Sequence, residues 1–298
     1  CAQILARVAT QADYAHRMID AEVITLCVSS FSLFGKNADM TEACCQLVKY
    51  VCATTDGTEA ALAEEDLLPL MVQRMDDFVS CTAVESACFG AFASLLKESV
   101  NGAALAEKCM ELNALEVMKR VIVQHEKDAQ TMVPATECVA AFSALPAAGA
   151  VIGTREWMTL LVSCMNRFDA AEVIVAFAKM FAQICTYNRD AETIKSGVND
   201  ATTDLLVEFQ AEEEVSYELF KLMVVLTHPD VCKKMGVINL YDNGFHKTLK
   251  QAFTTVSCAT LIPLCNILQN FFCVPQSEEY CNYLIKNDYI SILINAVK

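Results

Sequence analysis

The stretch from Ser86 to Gln124, SACFGAFASLLKESVNGAALAEKCMELNALEVMKRVIVQ, decides the fold. Cys88, Phe92, Leu95 and Leu96 fall at helical spacing, with Phe89 widening the apolar stripe. Asn101 and Gly102 interrupt that pattern. Just upstream, Thr82 followed by Glu85 has the Thr-x-x-Glu arrangement in which each side chain satisfies an amide at a helix start, so the long helix is expected to begin there. After the break, Leu105, Cys109 and Met110 mark a short helix, and Asn113 opens an amphipathic one carrying Leu115, Met118, Val121 and Ile122. Three helices in about forty residues cannot bury all these faces alone, so the unit must stack on copies of itself.

Copies are present along the whole chain. The amphipathic element recurs as AEVITLCVSSF from Ala21, EDLLPLMVQRM from Glu65, LNALEVMKRVI from Leu112, TREWMTLLVSC from Thr154, VNDATTDLLVEF from Val198, LYDNGFHKTLKQAF from Leu240 and NDYISILINAV from Asn287. Successive starts lie 44, 47, 42, 44, 42 and 47 residues apart. An apolar helix precedes each copy after the first: CCQLVKYVC at 44, CFGAFASLL at 88, CVAAFSALP at 138, FAKMFAQIC at 177, LFKLMVVLT at 219 and LCNILQNFF at 264, with CAQILARVA at 1 as a further copy. Such periods mark helical repeats of the armadillo and HEAT kind.

The order of short helix, GaipaLvelL-like helix and eAalraLrNLa-like helix resembles the armadillo repeat family over essentially the whole chain. Most of the family's glycines before the second helix are missing, Ala21, Asn113 and Asn199 occupying that neighbourhood. Two-helix HEAT repeats are the nearest alternative. The expectation is an all-α fold, a right-handed α-solenoid of about seven armadillo-like repeats. Because each repeat touches only its neighbours, residues 1–298 are expected to form one continuous domain. Six prolines, nine glycines and no long polar tract leave no candidate linker.

Sixteen cysteines would suit a disulfide scaffold in a small secreted chain. Here most of them, Cys44, Cys88, Cys138, Cys185 and Cys265 among them, stand at apolar helix positions where a free thiol acts as a small hydrophobe. Cys-x-x-Cys and Asn-x-Ser/Thr are both absent, which points to a reducing, cytoplasmic setting. Residues 256–275 carry no charge and residues 134–153 carry only Glu137, so both reach membrane-spanning length. Asn266, Gln269 and Asn270 in the first, and Pro146 and Gly149 in the second, argue for buried solenoid helices instead.

Charge is uneven. Residues 1–229 hold 16 Lys+Arg and 32 Asp+Glu, net -16, whereas residues 230–298 hold 6 and 5, net +1. The acidic part disfavours nucleic acid and anionic lipid, which need a cationic surface. It suits a basic partner, or it serves as a solvated surface that keeps an apolar chain in solution.

The armadillo resemblance implies a concave groove lined by third helices, each projecting two positions four residues apart. Here these are Gln3 and Arg7, Gln46 and Tyr50, Gly90 and Ser94, Ala140 and Ala144, Lys179 and Gln183, Lys221 and Val225, and Asn266 and Asn270. Importin-α-like members of the family carry Trp and Asn repeatedly at these positions. This chain has Asn270 alone in the Asn position, and Trp157 lies on a second helix, which argues against a nuclear-import adaptor. Arg7, Lys179 and Lys221 are too sparse for the basic row of catenin-like domains. Gln46, Tyr50, Gln183, Asn266 and Asn270 are suited to hydrogen-bonding an extended backbone. Small residues from Gly90 through Ala144 predict a shallow middle that accepts a partner helix, an association that Arg at Ala140 and Ala144 should abolish.

No nucleotide-binding glycine loop, His-Glu-x-x-His helix or Gly-x-Ser-x-Gly elbow occurs. His125 reads as an exposed helix end, and His228-Pro229 as a third-helix terminus where the ring faces the carbonyl end. The chain is therefore expected to be no enzyme, with no cofactor, no metal and no small-molecule substrate. The expected function is a protein-interaction scaffold in a cytosolic or cytoskeletal assembly, ciliary or flagellar ones included. The alternative is an acidic armadillo chaperone or exchange factor for basic-tailed small GTPases or other basic clients. Neither Ala2-Ile4-Leu5 nor Ile292-Leu293-Ile294 reads as a polar cap, so more chain or a bound partner is expected to cover each.

Overall fold

Among the described residues the apolar stripes at helical spacing form helices, and no strand occurs. The computed structural model describes residues 2–97, 102–188, 196–231, 245–255, 258–273, 277–286, 288, 289, 291 and 294. The last predicted second helix, from Asn287, falls largely outside them, as do Ile292 and Leu293. The chain forms two compact units, Cys1–Ile152 and Gly153–Lys298.

The first unit contains α1 (Ala2–Val8), α2 (Ala12–Asp20), α3 (Val23–Phe34), α4 (Ala38–Val51), α5 (Thr55–Ala63), α6 (Leu67–Asp77), α7 (Thr82–Lys97), α8 (Gly102–Glu111), α9 (Ala114–Gln124), α10 (Ala129–Ser143) and α11 (Pro146–Ile152). Helices of one kind stack on their own kind. The third helices α1, α4, α7 and α10 pack in sequence, as do the second helices α3, α6 and α9, and the first helices pair as α2 with α5 and α8 with α11. Phe31, Phe89, Phe92 and Phe142 are fully buried, and the Phe92 and Phe142 ring centroids lie 6.5 Å apart across adjacent third helices. Cys45 and Cys88, from α4 and α7, place their free thiols 3.4 Å apart in the same core.

The second unit contains α12 (Arg155–Met165), α13 (Ala171–Tyr187), α14 (Val198–Glu208), α15 (Glu213–Leu226), α16 (Phe245–Thr255), α17 (Cys258–Phe272) and α18 (Ser277–Lys286). Again α13, α15 and α17 form a third-helix ladder, and α12, α14 and α16 a second-helix ladder. Trp157, Phe177 and Phe181 fill its core. No helix among the described residues is long and apolar enough to cross a membrane. The apolar stretch after residue 134 is divided where α10 ends and Pro146 opens α11, a position where the missing proline amide costs no helical bond.

Two local expectations are corrected. The left-handed residue that precedes a second helix is Glu22 (φ 55), Asn113 (φ 56) and Gly197 (φ 91), so Ala21 and Asn199 do not hold the family's glycine position. The turn is retained where the glycine is lost, because Asn enters this region readily and a Glu can be held there by the repeats around it. The Thr82–Glu85 cap does not form. The Thr82 hydroxyl instead donates to Asp128 Oδ2 at 2.8 Å, 46 residues on, and Glu85 is fully buried with neither carboxylate oxygen hydrogen-bonded. Burial, helped by Cys88, Cys81 and Asp76, pushes the Glu85 carboxyl up to about 11.

Candidate interaction face and its ties between repeats

Polar side chains link one repeat to the next. Arg74 at the end of α6 donates through Nη1 to Gly35 O at 2.8 Å and to Asp77 Oδ2 at 2.7 Å. Arg120 pairs with Asp76 in the preceding repeat. His125 is 8% exposed, not an open helix end, and its Nε2 donates to Val79 O at 2.9 Å. Its Nδ1 stands 3.5 Å from Asp128 Oδ2. Asp128 also accepts from Thr131 Oγ1 at 2.9 Å and from the Gln130 amide at 3.1 Å, capping α10. Burial raises the Asp128 carboxyl, but the Thr82 and Thr131 hydroxyls, the Gln130 amide and His125 outweigh it and hold the group below its ordinary range. Sequence reasoning missed this junction. The one available signal was the separation of Thr82 from Asp128, and of His125 from Val79, by about one repeat.

The third-helix ladders carry the residues expected to meet a partner. Gln3 and Arg7 on α1 and Lys179 on α13 are exposed, as is Asn266 on α17. Ser94, Ala140, Ala144 and Gln183 are half-buried, and Ala144 lies one residue past the end of α10. Gln46 turns its amide to Glu42 Oε1 at 2.7 Å along its own helix. Tyr50 has Lys49 Nζ 5.7 Å from its ring centroid. Lys221 is ion-paired with Glu218 at 2.9 Å and stands 5.2 Å from the Tyr217 ring centroid. His228 accepts from the Asp230 amide at Nδ1, 3.3 Å away.

Two positions behave differently from the groove pattern. Gly90 is buried, because the stem of Lys49 crosses from α4 over α7: a Cβ there would meet Lys49 Cδ at 2.9 Å. Asn270 donates through Nδ2 to Val224 O at 2.9 Å and to Thr227 Oγ1 at 3.2 Å, so its amide ties α17 to α15. Gln3, Arg7, Lys179 and Asn266 project, whereas Gln46, Lys221 and Asn270 have partners within the fold. Among the described residues no three His, Cys, Asp or Glu side chains gather as a metal site.

No family model matches the sequence, and no curated protein sequence matches it either. Solved structures do match. The chain is similar to a designed armadillo repeat protein in complex with the peptide (KR)4, at 16% identity, 83% of this chain, 98% of that chain and a TM-score of 0.67. It is similar to a computationally designed armadillo repeat protein for modular peptide recognition, at 15% identity, 82% and 98% coverage and a TM-score of 0.62. A structure from work on a phosphorylation switch in the interaction between cadherin and beta-catenin matches at 10% identity, covering 89% of this chain and 54% of that one, with a TM-score of 0.61. Stacked third, second and first helices and these likenesses together give one fold, an all-α solenoid of armadillo-like repeats.

Proposed function

We propose that this protein is a non-catalytic interaction scaffold, holding one or more protein partners on its third-helix face within a multi-subunit cytosolic or cytoskeletal assembly, ciliary and flagellar ones included. The observation that carries this reading is the third-helix ladder within each unit, which sets exposed Gln3 and Arg7 and half-buried Ser94 and Ala140 along one, and exposed Lys179 and Asn266 along the other. Stacked helices present such a row at regular intervals, which is what recognition of an extended or helical partner requires. The peptide-bound and peptide-recognition designs with the same fold support it. Buried free thiols along the core support a reducing compartment.

A second reading rests on charge. The net -16 of residues 1–229 favours an acidic chaperone or exchange factor for basic-tailed small GTPases or other basic clients. Affinity recovery from native cells at low and at high salt, with retained proteins identified by mass spectrometry, separates the two. Fixed-complex subunits that survive high salt support the scaffold, whereas a basic-tailed client lost at high salt supports the second reading. Arg at both Ala140 and Ala144 should release the retained partners without loss of helicity. Unchanged recovery would remove the third-helix face as the binding surface.

A further inference from the structure

Within the second unit a cleft of about 510 Å³ opens where α14, α15, α16 and α17 meet, between two adjacent repeats. Leu206 and Phe220, themselves buried, give it an apolar floor, and Ala252 leaves room above them. Its volume lies within the range of about 300–1,000 Å³ typical of binding pockets. Val207 at its lining is 54% exposed, a large apolar side chain left in water beside the cleft, whose wall also carries Ser216, Thr248 and Thr260. Gln251 Nε2 donates to Gln210 Oε1 at 2.6 Å, fixing one wall across the repeat boundary.

The charge around this cleft has one sign on the α14 and α15 side. From residue 196 to residue 231 the chain carries eight carboxylates, and its one lysine, Lys221, is paired with Glu218. Glu213, which opens α15, lines the cleft, and Glu208 at the end of α14 and Glu212 ahead of α15 are exposed. Asp200 and Asp204 continue the exposed row along α14 at four-residue spacing. Burial and the Asp204 charge raise the Asp200 carboxyl. Lys247 and Lys250 on α16 are exposed but do not line the cleft.

We propose that the cleft seats a bulky apolar side chain of a basic protein segment, whose flanking lysines or arginines meet Glu208, Glu212 and Glu213. The apolar floor supplies the hold and the acids supply register and speed of encounter. A neutral apolar molecule fills the hole but leaves the acids unanswered, and an acidic segment is repelled by them. The site uses none of the projecting third-helix residues, so it stands independently of the scaffold reading.

The test is fluorescence anisotropy of a short fluorescein-labelled peptide, phenylalanine between lysines and arginines, titrated with the full chain at about 0.05 M and about 0.3 M salt. Saturable binding is expected that weakens about tenfold or more with Glu208→Lys plus Glu213→Lys, and similarly when the peptide's phenylalanine becomes serine. Ala252→Trp, which fills the cleft, should act alike. Should that variant lose helicity by circular dichroism, the two exposed charge reversals decide alone. Arg at Ala140 and Ala144 should leave this binding unchanged. The proposal is overturned by absence of saturable binding, by binding indifferent to the charge reversals, or by tighter binding of a glutamate-flanked peptide that Lys247→Glu plus Lys250→Glu abolishes.

Discussion

Lys49 lies across Gly90: a methyl group built on the glycine would stand 2.9 Å from Lys49 Cδ and 3.3 Å from Cε and Nζ. The obstacle is the far end of a flexible side chain, not backbone. Gly90→Ala should therefore let the lysine swing aside, and the gain in helix propensity of up to about 1 kcal/mol should outweigh the weaker packing of its stem on α7. Denaturant unfolding should show a midpoint at or slightly above that of the wild type. A drop of more than about 1 kcal/mol would mean that the Lys49 stem is fixed where it lies.

Glu85 makes the stability of the first unit depend on pH. Its folded-state carboxyl is raised from 4.5 to about 11, so between those values the folded chain binds a proton that the unfolded chain releases. Stability from this group is fully present at low pH and declines as pH rises out of the ordinary carboxylate range. Glu85→Gln should flatten that slope, and Glu85→Met, which removes the unpartnered oxygens, should add about 1–3 kcal/mol at neutral pH. Urea unfolding across pH 6 to about 9 checks both. Parallel slopes for wild type and Glu85→Gln would place the carboxyl in contact with water.

Asp128 works in the opposite sense. Its folded carboxyl lies below 3.8, so its contribution is present above the ordinary value and lost as pH falls through the lowered one. Asp128→Ala removes the acceptor shared by Thr82, Thr131, the Gln130 amide and His125, and should cost about 1–2 kcal/mol. A double-mutant cycle with Thr82→Val should give a coupling of about 0.5 kcal/mol or more, and zero coupling would deny the bond between repeats.

Glu22 holds a left-handed backbone at φ 55 ahead of α3, a conformation that costs an ordinary L-residue about 1–2 kcal/mol relative to glycine. Glu22→Gly should raise stability by about 1 kcal/mol. The same change at Ala21, one residue away and outside that region, should not. Thermal unfolding of the two variants distinguishes them.

The repeat was legible because a stacked helix must show its apolar face every three to four residues, and the stretch around Phe89 and Val121 does so without tertiary help. Helix phases were likewise readable from Leu115 or Leu161, whose burial follows from position alone. What misled was chemistry that depends on a residue about one repeat away. Thr82 looks like a local cap until Asp128 is brought beside it, and Asn270 looks like a free amide until Val224 offers a carbonyl. Lys49 beside Tyr50 gives no hint that its stem will cover Gly90. Which groove positions project depends on neighbours in space, and the sequence names those neighbours only as a period.

Arg74, Lys108, His125 and Asn270 each reach back about one repeat to a main-chain carbonyl, at Gly35, Glu65, Val79 and Val224 in turn. In each of these ties the donor belongs to the later repeat. A chain leaving the ribosome thus displays these acceptors first. Water can satisfy such an exposed carbonyl until the next donor emerges, so at these four ties the nascent stack lengthens from its amino end without a buried donor in waiting.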